Sequence, residues 1–241
     1  MSDVPGIAIV PAWNEEDSIA RVIEEIRAYD PDLHIMVVDD GSNDGTAEAA
    51  RAAGAKVARL PFNLGIGGAV QTGLRYAHQN GFGFAVRVDG DGQHDPAQLA
   101  KVVEPVLRDE VDIAVGSRYL GLGGEGYRST ASRRLGIRIL ARTVSLLTRQ
   151  TITDPTSGFQ ALNRKAIALF AADYPHDYPE VEALVLLASH RLRLREVPIE
   201  MRPRTAGRSS IRTLSSAYYM VKVLLALFVG SFRRSVPLED K

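Results

Sequence analysis

The 241-residue chain contains no cysteine, which excludes a disulfide framework, zinc–thiolate and iron–sulfur sites, and any thiol nucleophile. It also lacks a net charge, since 29 Lys and Arg stand against 29 Asp and Glu. No apolar run reaches the roughly 20 residues that a spanning helix needs. The longest, Ala217–Val229, is interrupted by Lys222. The start MSDVPGIAIVPAW has neither the basic region nor the long apolar core of a secretion signal. Internal repeats and low-complexity tracts are absent. Basic residues alternate with apolar ones and no aromatic stacking surface accompanies them, so a nucleic-acid role is excluded.

What is present is an ordinary globular composition, 45% hydrophobic and 24% charged, enough to bury one large core. The zero net charge hides an asymmetry. Residues 1–120 carry 10 basic side chains against 19 acidic ones, and the second half reverses those counts. Cations or neutral polar groups suit the first half as partners, and anions the second.

In the first half, short apolar runs alternate with amphipathic segments. Gly6–Val10, Ile35–Val38, Lys56–Leu60, Phe84–Val88 and Ile113–Val115 read as strands. Asp17–Tyr29, Thr46–Ala53, Ile66–Gln79 and a segment opened by Pro96 read as helices. That alternation predicts a mostly parallel central sheet flanked by helices, with ligands beyond the carboxyl ends of the strands. The acidic loops Asp39-Asp40 and Asp89–Asp95 stand at those ends. Further on, Ser132–Leu147 reads as a helix with Arg134, Arg138 and Arg142 on one stripe. Ile137, Leu140, Ala141 and Val144 form its apolar face. A turn leading into a short strand over Thr153–Asn163, a helix at Glu180–Ser189, a strand at Leu194–Ile199 and the basic segment Arg202–Ser210 follow.

Asp89-Gly90-Asp91-Gly92-Gln93 is the strongest chemical signal. Two carboxylates one residue apart on a Gly-rich turn can converge on a hard cation, with Gln93 adding a neutral oxygen. A solvated turn would look the same locally; the second acidic strand end favours a site. His94 reads as solvated. Asn63–Gly68 fails the dinucleotide fingerprint, because the third glycine position holds Val70, and its glycines read as packing positions. In Pro11–Glu16, Trp13 suits a nucleobase, Glu15 and Asp40 suit hydrogen bonds to base or ribose, and Asn14 suits a helix cap.

Taken together, IVPAWNEEDSI (9–19), VVDDGSNDGT (37–46), NLGIGGAVQTGL (63–74), VDGDGQHDP (88–96), VGSRY (115–119) and TDPTSGFQ (153–160) resemble glycosyltransferase family 2. The likeness is greatest to its polyprenyl- and dolichyl-phosphate mannose synthase-like members. It implies an α/β GT-A (nucleotide-diphospho-sugar transferase) fold over residues 1–210, followed by a C-terminal amphipathic membrane-interface or oligomerisation helix at 211–241. Pro11, Trp13, Glu15, Asp39, Asp40 and Asp89 would bind the nucleotide sugar, GDP-mannose or UDP-glucose. Asp89, Asp91 and Gln93 would hold Mg²⁺ or Mn²⁺. Arg118, Arg133, Arg134, Ser157, Arg202, Arg204 and Arg208 would grip the phosphate of a polyprenyl phosphate acceptor. Asp91, Arg118 and Asp154 would be the catalytic set. The chain departs from many relatives in ending after one short apolar helix rather than transmembrane spans.

The implied reaction is inverting transfer of a hexose to a lipid phosphate, which needs no strong base. Transfer to a sugar hydroxyl of a lipid-linked or cell-wall glycan is the alternative, with Asp154 as base. A non-catalytic nucleotide-sugar-binding subunit is the third reading, disfavoured by the intact DGDGQ. The lipid acceptor implies peripheral attachment to the cytoplasmic face of the membrane through Ser215–Phe232. A homodimer or a small membrane-protein partner would reinforce it.

Overall fold

The computed structural model describes residues 4–120, 131–202 and 222–225. In chain order the elements are β1 (Gly6–Ala12), α1 (Ile19–Tyr29), β2 (His34–Asp39), α2 (Thr46–Ala52), β3 (Lys56–Arg59), α3 (Gly65–Gln79) and β4 (Phe84–Arg87). A 3-10 turn at Pro96–Gln98 leads into α4 (Leu99–Leu107), then β5 (Ile113–Ser117) and α5 (Ala131–Thr148). The last are β6 (Gln160–Asn163), α6 (Arg164–Ala172), α7 (Pro179–Ser189) and β7 (Leu194–Pro198).

Seven strands form one sheet in the order β3-β2-β1-β4-β6-β5-β7. All pairings are parallel except those of β6, which runs antiparallel to both β4 and β5. The strand alternation sorts the core into two layers. Ile7, Ile9, Met36, Val38, Ile113 and Val115 face α3, α5, α6 and α7, whereas Ala8, Val10, Ile35, Val37 and Ala114 face α1, α2 and α4. Burial on both faces explains why the strands read as continuous apolar runs.

Two local readings are corrected. Helix α1 begins at Ile19 with Ser18 as its first flanking residue, so Asn14 is no cap. Helix α6 was not anticipated, although Asn163 caps it by accepting hydrogen bonds from Lys165 and Ala166. Of the proposed C-terminal helix only Lys222–Leu225 fall within the described residues, and Val223 there is buried against the α5–α7 side of the core. Among the described residues no helix is long and apolar enough to cross a membrane.

Asp112 ties the far edge of the sheet together. Its carboxylate accepts from Arg193 N, Nε and Nη2, and from Asn163 Nδ2. Burial alone would raise its carboxyl, but the hydrogen bonds from Arg193 and Asn163 outweigh burial and hold the pKa at about 2. A folded-state value below the free value of about 3.9 stabilises the fold above pH 4, and that contribution fades as pH falls toward 2. Asp112→Asn should therefore unfold at lower denaturant than the parent at pH 6, and the two midpoints should converge near pH 2. Parallel curves across that range would refute the linkage.

Candidate active site

At the carboxyl edge the loops after β1 and β2 are zipped together by backbone donors and side-chain acceptors. Asn14 N donates to Ser42 Oγ, Glu15 N donates to Thr46 Oγ1, and Asn43 N donates to Asn14 Oδ1. Asn14 holds a left-handed backbone, φ 56°, which asparagine tolerates better than most residues. The zip leaves Trp13 at the rim, 48% exposed, where a planar ring can lie on it. Pro11 is buried in β1, its carbonyl accepting from Gly90 N.

The two acids after β2 have structural work of their own. Asp39 is fully buried, accepts from Ser42 N and pairs with Arg59. Asp40 accepts from Leu64 N at 2.7 Å, fastening the loop that opens α3. Burial, with Asp39 adjacent, raises the Asp40 carboxyl even though the Leu64 and Gly65 amides oppose the shift. Of the α3 glycines, Gly67 packs against the Pro175–His176 backbone, where a Cβ would come within 2.6 Å of the Pro175 carbonyl.

The next loop grows from β4. Arg87, the last residue of β4, is 4% exposed and spans two carboxylates. Its Nε donates to Asp89 Oδ1 at 3.0 Å and its Nη2 to Glu180 Oε1 at 2.9 Å. Burial alone would raise the Asp89 carboxyl, yet Arg87, with Arg118 adding to it, outweighs burial and holds it below the usual carboxylate range. Gly158 makes room for the pair, since a Cβ there would lie 2.7 Å from Arg87 Nη2 and 3.0 Å from Asp89 Oδ2. His94, expected in solvent, is buried against Phe159, and its Nδ1 accepts from Asp89 N. Burial lowers its pKa, which keeps the ring neutral and able to accept at Nδ1.

Asp91 is largely buried and accepts from Gln93 N through Oδ1. Asp89, Asp91 and Gln93 supply hard oxygen atoms, and among the described residues no three His, Asp or Glu side chains close on one point. Carboxylate and amide oxygens are the donor types that suit Mg²⁺ or Mn²⁺, which keep coordination positions for water and phosphate oxygens.

The register brings a second cluster to the same edge. Arg87 and Val115 both lie opposite Gln160, so the ends of β4 and β5 flank the start of β6. Arg118, just past β5, grips Asp154 as a fork: Nε to Oδ2 at 2.6 Å and Nη2 to Oδ1 at 2.7 Å. The Arg118 backbone amide donates to the same Oδ2, and Nη2 also reaches Thr156 Oγ1. Asp154 is fully buried. Glu196 of β7 in turn accepts from the backbone amides of Thr153 and Asp154 and from Thr153 Oγ1. Ser157 is buried in the turn that follows, its Oγ accepting from Phe159 N.

Two of the expected site residues are already engaged by partners. Asp154, the candidate base of the hydroxyl-acceptor alternative, has both of its oxygens facing donors of Arg118, an arrangement that suits a positioning residue. Arg202 was expected on an acceptor phosphate; its guanidinium binds Glu25 and Asp95 instead. Its amide donates to Gln93 O, so Arg202 fastens the acidic loop to the chain beyond β7. Arg133 and Arg134 fall on α5, with side chains outside the described residues, as are Arg204 and Arg208 altogether. Sequence reasoning missed Arg87, Glu180 and Glu196. A charge inside the apolar run FAVRV was the available signal for the first.

The Glycosyl transferase family 2 profile matches residues 7–170. A UDP-N-acetylglucosamine–dolichyl-phosphate N-acetylglucosaminyltransferase of Methanococcus voltae is 31% identical over 219 residues, spanning 83% of this chain and 86% of its own. A polyprenol monophosphomannose synthase of Mycolicibacterium smegmatis is 29% identical over 227 residues, 90% of this chain and 84% of that one. Glucosyl-3-phosphoglycerate synthase from Mycobacterium tuberculosis, solved with Mn²⁺, uridine diphosphate and glucosyl-3-phosphoglycerate, superposes with a TM-score of 0.70. At 22% identity, covering 97% of this chain and 82% of that chain, the likeness speaks for the fold. The GT-A architecture expected from the sequence is borne out.

Proposed function

The chain belongs to glycosyl transferase family 2, and from that premise we propose that it moves a hexose or N-acetylhexosamine from a nucleotide-diphosphate sugar to a polyprenyl phosphate. Two relatives carry acceptors of that class in their names, dolichyl phosphate in one and polyprenol monophosphate in the other. The observation that carries the reading is the meeting of an acidic loop and a buried arginine fork at one sheet edge. Asp89 is close enough to Arg118 for the guanidinium to help hold its carboxyl down. An enzyme joining two phosphorylated substrates needs both signs of charge side by side.

In this reading Trp13 and Glu15 receive the nucleoside, with Pro11 and the buried Asp39 and Asp40 shaping the loops around it. Asp89, Asp91 and Gln93 would hold Mg²⁺ or Mn²⁺, which supplies positive charge for the diphosphate leaving group. Arg118 holds the acceptor phosphate in line with the anomeric carbon, and Arg133, Arg134, Arg204 and Arg208 add charge to the same approach. A phosphate oxygen forms the new bond to the anomeric carbon as the bond to the diphosphate breaks, and the nucleoside diphosphate leaves. The acceptor is already ionised near neutral pH, so no proton need be removed. In-line displacement inverts the anomeric centre, giving a β-linked product from an α-linked donor.

The test is to incubate the purified full chain with Mn²⁺ or Mg²⁺, polyprenyl phosphate in detergent, and GDP-mannose, UDP-glucose or UDP-N-acetylglucosamine supplied separately. Mass spectrometry should find a glycosyl phospholipid from one donor, abolished by EDTA. Donor hydrolysis without lipid product would sink the acceptor assignment while leaving the donor site in place.

A further inference from the structure

Strand β7 ends at Pro198, and the residues that follow turn from the sheet onto the acidic loop. Ile199 N still donates to Ser117 O at the end of β5. Met201 then forms an antiparallel bridge with His94, and Arg202 N donates to Gln93 O at 2.9 Å. Gln98 holds Glu200 through both ends of its amide: Nε2 donates to Glu200 O at 2.7 Å and Oε1 accepts from Glu200 N at 3.0 Å. The Arg202 guanidinium closes this strap, with Nη1 on Glu25 Oε2 at 2.6 Å and Nη2 on Asp95 Oδ1 at 2.7 Å.

The two loop residues that the strap holds are those that hold the acids. Gln93 N donates to Asp91 Oδ1, and Asp89 N donates to His94 Nδ1. Gln93 thus links the strap to one carboxylate directly, and His94 links it to the backbone of the other. The ion pairs of Arg202 involve side chains 26–38% exposed, and pairs that wet contribute little to stability. What they restrain is the geometry of the loop.

We infer that Arg202 and Gln98 are positioning residues for the divalent ion, acting through Gln93 and His94 on Asp91 and Asp89. This rests on the metal assignment proposed above, and it moves Arg202 from the acceptor side of the reaction to the donor side. The sign of the effect separates positioning from charge. Removing a cation beside an acidic loop tightens a divalent ion if Coulomb attraction alone acts. Loss of restraint weakens the ion, as loss of an outer partner does at a metal centre.

The test follows Mn²⁺ binding to the purified full chain by electron paramagnetic resonance, with Mn²⁺ alone and with GDP or UDP added. Arg202→Gln and Gln98→Ala should each weaken the ion about tenfold while keeping the thermal midpoint of the parent. Gln98→Ala changes no charge, so its loss has no Coulomb explanation. Arg202→Lys should fall between parent and Arg202→Gln, since an ammonium keeps the charge without the fork. In turnover, both variants should raise KM for the donor about tenfold and leave KM for polyprenyl phosphate within about twofold of the parent. Parent-like or tighter Mn²⁺ binding by Arg202→Gln overturns the inference, as does parent-like binding by Gln98→Ala or a parent that binds no Mn²⁺. A rise confined to KM for polyprenyl phosphate would also overturn it and return Arg202 to the acceptor phosphate. Because the binding arm contains no acceptor, weakened Mn²⁺ in both variants with no glycosyl phospholipid from the parent would sink the function and leave the strap standing.

Discussion

Arg87→Met is expected to lower the unfolding free energy by about 3 kcal/mol and to weaken ion binding and turnover about 10- to 100-fold. Arg87 is 4% exposed and stands between Asp89 and Glu180, whose side chains are only 30% and 20% exposed. Methionine fills similar volume without charge, which leaves two carboxylates facing one another in a poorly solvated space. One gain offsets part of the loss, because the buried Arg87 Nη1 has no partner among the described residues. The activity loss has a separate origin. Asp89 accepts through Oδ1 from Arg87, which fixes the orientation of the carboxylate at the acidic loop.

Stability and positioning separate in the double variant Arg87→Met/Glu180→Leu. Removing both Arg87 and Glu180 leaves fewer uncompensated charges, so much of the stability should return. Mn²⁺ affinity, read by electron paramagnetic resonance of the free ion, should stay weak because nothing orients Asp89. If the double variant recovered parent affinity for Mn²⁺, Arg87 would be a structural residue only. Arg87→Lys should fall between the extremes, since an ammonium keeps the charge but cannot reach two carboxylates as a fork.

These effects turn on residues that the sequence displays but does not connect. The strands, most helices and the acidic turn are legible because their signals are local: apolar runs of four to seven residues and Gly-Asp turns at strand ends. The partners of Arg87 and Arg118 are not, since Glu180 lies 93 positions from Arg87 and Asp154 lies 36 from Arg118. His94 reads as a solvated turn residue from its neighbours, but Phe159, just before β6, lies against it. The partners of Arg202 are hidden from the sequence in the same way. A basic segment looks like an anion site until Glu25 and Asp95, on two other elements, are brought against it. Composition places charge; only the fold says which charges are already answered.

The second large effect is expected at the Arg118–Asp154 fork, where it distinguishes the two acceptor chemistries. Arg118→Ala should lower kcat/KM with polyprenyl phosphate about 10²- to 10³-fold, the scale of losing one preorganised donor to a developing or approaching anion. Asp154→Asn should cost about tenfold through Arg118, since an amide accepts at one atom where the carboxylate accepted at two. Its NH₂ group would then face the Arg118 donors. Asp154 is buried, with Arg118 N and Nε on one oxygen and Arg118 Nη2 with Thr156 Oγ1 on the other. A base needs an oxygen turned to the incoming hydroxyl, and none of these contacts supplies one. Were Asp154 the base for a sugar hydroxyl, the ranking would reverse. Asp154→Asn would then lose about 10²- to 10⁴-fold and Arg118→Ala less. Guanidine added to Arg118→Ala gives a further readout. It should restore part of the turnover only if the missing group contacts phosphate, whereas no rescue together with a dead Asp154→Asn would move the acceptor from phosphate to hydroxyl.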